Sequence, residues 1–142
     1  MTTQAKILTL ADAVVFHLNS QTFSQAFTAA RKWFPTYHPN ELETLTVAVV
    51  PHETRRERST RDDWECVREI GIGVWKKLDV ADGAADPMIL LCEEIAASFE
   101  FGIDYYADGQ VLEIRDGPIG NPDFWKEAHV FAALIVLTVR LT

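Results

Sequence analysis

Cysteine, long apolar runs and positive charge are what this sequence has least of, and each scarcity excludes a class of protein. Only two cysteines, Cys66 and Cys92, occur in 142 residues. A disulfide framework needs more of them and an oxidising compartment, so both are expected as buried thiols on the apolar faces of a strand and a helix. The most apolar stretch, 130–141, is broken by Thr138 and Arg140. It falls short of the roughly 18 residues that a bilayer-spanning helix requires, and no membrane partner is expected. The opening residues, Met-Thr-Thr-Gln-Ala-Lys, lack the basic start, apolar middle and small-residue cleavage site of a secretory signal, which predicts a chain made and kept in a cytoplasm. Thirteen Lys and Arg against 21 Asp and Glu leave a net charge of −8, the wrong sign for gripping phosphate backbones, so no sequence-specific nucleic-acid binding is expected. The deficit is uneven: residues 1–71 hold 8 basic and 9 acidic side chains, residues 72–142 hold 5 and 12. DNA near such a surface would pass without sticking.

Catalytic motifs are equally scarce. Gly71-Ile-Gly73 lacks the third glycine of a phosphate loop and lies inside a strand pattern. Ser20, Ser24, Ser59 and Ser98 have no nucleophile-elbow context. His17, His38, His52 and His129 are far apart, and no Cys/His spacing resembles a zinc site. Glu93 and Glu94 are adjacent, so on a helix they diverge and cannot work as an acid and base pair. No catalytic, cofactor-binding or metal-ligating residue is therefore assigned, and neither an enzyme nor a cofactor is expected.

What is present is a core. At 48% hydrophobic residues the chain can bury one unaided, and a single α+β domain over 1–142 is expected: a mostly antiparallel mixed sheet of about four or five strands with two main helices packed on it. Its centre is the extended run Trp64–Lys77, with Trp64, Cys66, Arg68, Ile70, Ile72 and Val74 on one side and Glu65, Val67, Glu69 and Trp75 on the other. Gly71 and Gly73 share a side, which leaves room for a close neighbour or for local coiling. A helix over 87–101 follows, with Asp86 as N-cap, Pro87 at the first position and Gly102 as the stop. Met88, Leu91, Cys92, Ile95 and Phe99 form its apolar face.

Earlier in the chain, Thr9 can cap a helix whose Leu10, Ala13, Val14, His17 and Leu18 share a face, ended by Asn19 and Ser20. His17 reads as a hydrogen-bonded histidine at the core margin. Extended segments are expected over 27–34, over 43–51 with Pro51 as the stop, over 103–107 and 111–115 around an Asp108-Gly109 turn, and over 130–142. Residues 116–122 read as an irregular connection. Trp33, Phe34 and Tyr37 form either an exposed contact patch or part of the sheet packing, the second being the commoner fate of aromatics.

Between the second strand and the central one, Arg55, Arg56, Arg58 and Arg61 are balanced by Glu53, Glu57, Asp62 and Asp63. A phosphate-binding arm would carry net positive charge with interleaved aromatic or small residues. The alternating signs suit a long hairpin tip over 51–63, solvated and mobile in the isolated chain, and docked on a neighbour by paired charges in an assembly.

The element order and several short runs resemble the small tail-terminator and tail-completion (minor tail) proteins of long-tailed bacteriophages and prophages. The runs are Val14, Val15 and Leu18 on the early helix; Leu42 and Leu45 leading into Thr46-Val-Ala-Val-Val-Pro51; Ile70-Gly-Ile-Gly-Val-Trp-Lys-Lys77; and Leu91-Cys-Glu-Glu-Ile95. Val111-Leu-Glu-Ile114, Pro118-Ile119 and 131–140 complete them. The resemblance implies a virion protein, assembled in the bacterial host cytoplasm, that forms a ring, commonly a hexamer, on the end of the tail tube. Its implied partners are further copies of itself, the tail tube protein and the head-tail connector proteins, with the four arginines at an assembly interface. A head-closure or neck component is the alternative. A small enzyme or ligand-binding domain would instead need a pocket of convergent polar groups around His38, His52 and Trp64.

Overall fold

A computed structural model describes residues 4–33, 44–78, 85–103, 109–119 and 130–141. The elements run α1 (Lys6–Ser20), β1 (Ala29–Arg31), β2 (Thr46–Arg58), β3 (Trp64–Lys77), α2 (Asp86–Ser98), β4 (Gly109–Ile119) and β5 (Val130–Leu141). The strands form one five-stranded sheet in the order β1-β2-β3-β5-β4, parallel between β1 and β2 and antiparallel elsewhere. The α+β fold expected from the sequence is thus the one observed, with β3 at its centre and bounded as anticipated.

Alternation along the strands sorts the sheet into two unlike faces. Ile70, Ile72 and Val74 of β3 are flanked by Val47 and Val49 of β2 and by Ala133, Ile135, Leu137 and Val139 of β5, and all are buried in one core. Both helices add their apolar stripes to this face, α1 over β1 and β2, α2 over β4 and β5. They meet where His17 stacks on Phe99, ring centroids 4.1 Å apart, with Nε2 3.1 Å from Ser98 Oγ. Ser98 spends its own proton on the Ile95 carbonyl at 2.7 Å, so the imidazole is the donor to it. His17 is the core-margin histidine that its position implied, 2% exposed.

Several boundaries differ from the expectation. Thr9 does not cap α1; it lies inside the helix, its hydroxyl turned back to the Ala5 carbonyl at 3.4 Å, while Ala5 holds the N-cap position without a side-chain bond. Asp86 likewise sits in the first turn of α2, behind Ala85, where its charge still favours the positive helix end. The helix ends at Ser98, and the chain turns through Phe99 to Gly102, whose N–H bonds the Phe99 carbonyl at 3.0 Å and whose φ of +107° suits glycine.

The extended segment over 27–34 shrinks to three residues, because Phe27 meets its need for burial by stacking on Phe23 against the core, centroids 5.4 Å apart. Pro51 does not stop β2. The register shifts between Pro51 and Glu53, and β1 pairs only as far as Val49, so the missing N–H falls on an edge that is unpaired among the described residues, where proline is tolerated. Residues 116–119 are not an irregular connection but continue β4, which absorbs them with register shifts at Val111/Glu113 and Asp116/Ile119. Of the hairpin around Asp108-Gly109, residues 104–108 lie outside the described residues, as do Phe34 and Tyr37. Ile103 is buried but belongs to no strand.

Candidate functional site

The β2–β3 arm carries the four arginines. The two strands pair without interruption from Glu53 opposite Glu69 to Arg58 opposite Trp64, and every β2 residue from Arg55 onward is exposed. The turn is closed by Ser59 N–H to the Asp63 carbonyl at 3.0 Å and by Asp63 N–H to Thr60 Oγ1 at 3.1 Å. The expected loose tip over 51–63 is therefore a strand ladder ending in a short, hydrogen-bonded turn. Alternating charges are compatible with either form. The β-ladder here is held by a charge pair of its own, Arg55 Nε to Glu57 at 2.9 Å, by Arg140 of β5 paired with Glu65, and by the Arg58 guanidinium 4.9 Å above the Trp64 ring.

The four candidate residues are consequently brought onto one arm without being equivalent. Arg55 and Arg58 are committed within the arm. Arg56, on the opposite face of the strand from Arg55, and Arg61, in the turn, are exposed and form no ion pair among the described residues.

Neither helix covers the second face of the sheet. There the Trp75 indole lies flat over Gly73, where an added Cβ would stand 2.0 Å from the ring, and Leu134 lies against Gly71 at 3.3 Å from the equivalent point. This is the close neighbour that the paired glycines left room for. A groove of about 470 Å³ opens here, lined by Trp33, Trp75, Leu134 and Val136 beside the two glycines and by Arg115. Trp33 is 87% exposed and Leu134 41%. For Trp33 the packed reading is overturned: it follows a three-residue strand at the sheet margin and stands exposed.

One grouping was not visible in sequence. At the β2 bulge, His52 Nδ1 lies 3.1 Å from Glu69 Oε2, and one ligand atom from each of His52, Glu53 and Glu69 falls within 4.8 Å of the others. The signal would have been the bulge, which puts His52 beside a cross-strand carboxylate pair. His52 also borders a hollow of about 610 Å³ with Ala5, Leu8, Arg31 and Trp33, where Arg31 is paired with Asp12 at 3.3 Å. The pocket imagined around His38, His52 and Trp64 does not form from the described members: Trp64 stands at the far end of the arm, roughly 17 Å along β3 from Glu69, and His38 lies outside the described residues. The thiols of Cys66 and Cys92 are free. Burial, and secondarily the charge of Asp116, push the Cys92 thiol up to about 11, which makes it a poor nucleophile.

No protein-family model matches this chain, and no curated protein does. Among solved structures it is similar to the sheath/tube terminator of an extracellular contractile injection system, PVC, in the extended state. Identity is 15% and the TM-score 0.45, over 99% of this chain and 57% of that one. The chain thus spans little more than half the length of the terminator. At that level the likeness assigns no role to any residue.

Proposed function

We propose that this chain is a structural component of a tail-like particle: a terminator that joins further copies of itself in a ring on the end of the tail tube and presents a surface to the head-tail connector. The observation that carries this reading is the arm. β2 runs on past its last pair with β1 to Arg58, and the end of the β2–β3 hairpin passes the last β3–β5 pair, Cys66 opposite Leu141; held by the Arg55–Glu57 pair, by Arg140 of β5 on Glu65 and by a closed turn, it offers two arginines with no ion pair among the described residues. A stiff, charge-bearing arm suits docking because little conformational entropy is lost when it is held. The uneven faces of the sheet add unlike surfaces on one protomer, which head-to-tail rings require. The resemblance of several runs to phage tail terminators supports the same assignment, and the acidic second half of the chain suits a bore through which DNA slides.

The test is complementation of particles that lack the protein. Replacing Arg55, Arg56, Arg58 and Arg61 with Ser is expected to leave the protomer folded and to abolish tail attachment seen by electron microscopy, with Arg56 and Arg61 carrying most of the loss. Attachment at the wild-type level would refute the assignment of the arm.

A further inference from the structure

The solvent side of α2 and the groove on the sheet face that neither helix covers are complementary. Along α2 and the turn after it, the exposed residues include Leu90, Ala97 and Phe101, interspersed with Asp86, Glu93 and Glu100 and with no basic residue. Phe101 is 99% exposed and Leu90 51%, large apolar groups that a surface carries at a cost unless something covers them. Phe101 is also held: Glu100 N–H bonds the Ala97 carbonyl at 3.1 Å and Gly102 N–H the Phe99 carbonyl at 3.0 Å, fixing the turn that presents it. Across the molecule, the groove offers an apolar lining of Trp75, Leu134 and Val136 and an exposed wall at Trp33. Arg115 in its lining forms no ion pair among the described residues.

We infer that the groove receives the α2 face of a second copy of this chain, with Phe101 inserted between Trp33 and Trp75 and Glu100 placed to meet Arg115. The two surfaces lie on opposite faces of the protomer, so the contact is head-to-tail and leaves one knob and one groove free on each pair. Aromatic knobs in desolvated pockets are the usual anchors of such contacts, and the acidic rim around Phe101 excludes a like-charged alternative. The inference rests on the ring proposed above and names the surfaces that would build it.

Sedimentation velocity over micromolar to millimolar concentration tests it. Wild type is expected to associate with increasing concentration, and Phe101→Asp or Leu134→Arg to weaken that at least tenfold. Because each variant keeps one intact surface, an equimolar mixture of the two is expected to form a 1:1 dimer and nothing larger. Arg115→Glu should weaken association and Glu100→Arg in the same chain restore it. A wild type monomeric to a millimolar, unchanged association of Phe101→Asp, or a mixture that stays monomeric would overturn the docking. None of these outcomes bears on tail attachment by the arm, which is decided on particles.

Discussion

Gly73→Ala gives the sharpest test of how the sheet is built. The new methyl would stand 2.0 Å from Trp75 Cη2, 2.6 Å from Cζ3 and 2.7 Å from Cζ2, distances at which the indole must leave its bed. Forcing a packed ring out of place costs about 1–3 kcal/mol. Against this, alanine is better than glycine in regular structure by roughly 0.5–1 kcal/mol. In wild type the clash outweighs this gain, and the substitution should lower stability by up to about 2.5 kcal/mol. In a Trp75→Ala background the clash is gone, only the backbone term remains, and the same substitution should stabilise. Urea denaturation of the four proteins closes the cycle, and the account requires a coupling energy of about 1–3 kcal/mol between the two positions. An equal effect of Gly73→Ala in both backgrounds would show that the indole does not lie on the glycine.

Other predictions follow from single groups. Phe99→Ala empties the fully buried joint between α1 and α2 and should cost roughly 3–5 kcal/mol, read as a fall of roughly 10 °C or more in melting temperature; a fall within error would place the joint elsewhere. Cys92 holds its proton more tightly when folded, its pKa raised from 9.0 to about 11. Its contribution to stability is therefore whole below pH 9 and is lost as pH rises towards 11. The difference in denaturation midpoint between wild type and Cys92→Ala should shrink over that range, and a constant difference would contradict the burial of the thiol. Arg68 is 6% exposed on the core face, with Nε and Nη1 unpartnered among the described residues. Unpaired buried donors cost about 1–3 kcal/mol, so Arg68→Met should raise the urea midpoint or leave it unchanged; a marked loss would reveal a partner for the guanidinium.

How far the fold was legible depended on how much each residue pattern constrained the backbone. The alternation of Trp64–Lys77 and 130–141, and the helical spacing from Met88 to Phe99, admit one periodicity each, and those elements appeared where the pattern put them. Proline and glycine misled where edges and bulges absorbed them: Pro51 falls on an edge unpaired among the described residues, and 116–119 continue β4 through a shifted register. Aromatics told of burial but not of its means, so Phe27 and Phe23 stack instead of extending β1. The four arginines were legible as a group, yet their division into committed and available pairs was not, because it depends on which face of the strand each occupies and on Trp64 reaching Arg58. The groove was foreshadowed only by Gly71 and Gly73; its walls come from residues far apart in the chain.

On the function proposed above, the molecule acts by fitting its neighbours through the end of the β2–β3 hairpin. Electron microscopy of particles complemented with Arg56→Ser and Arg61→Ser together tests it most directly, with circular dichroism to confirm the fold. Folded protein with tails left unjoined is the predicted result; tails joined as often as with wild type would contradict the account.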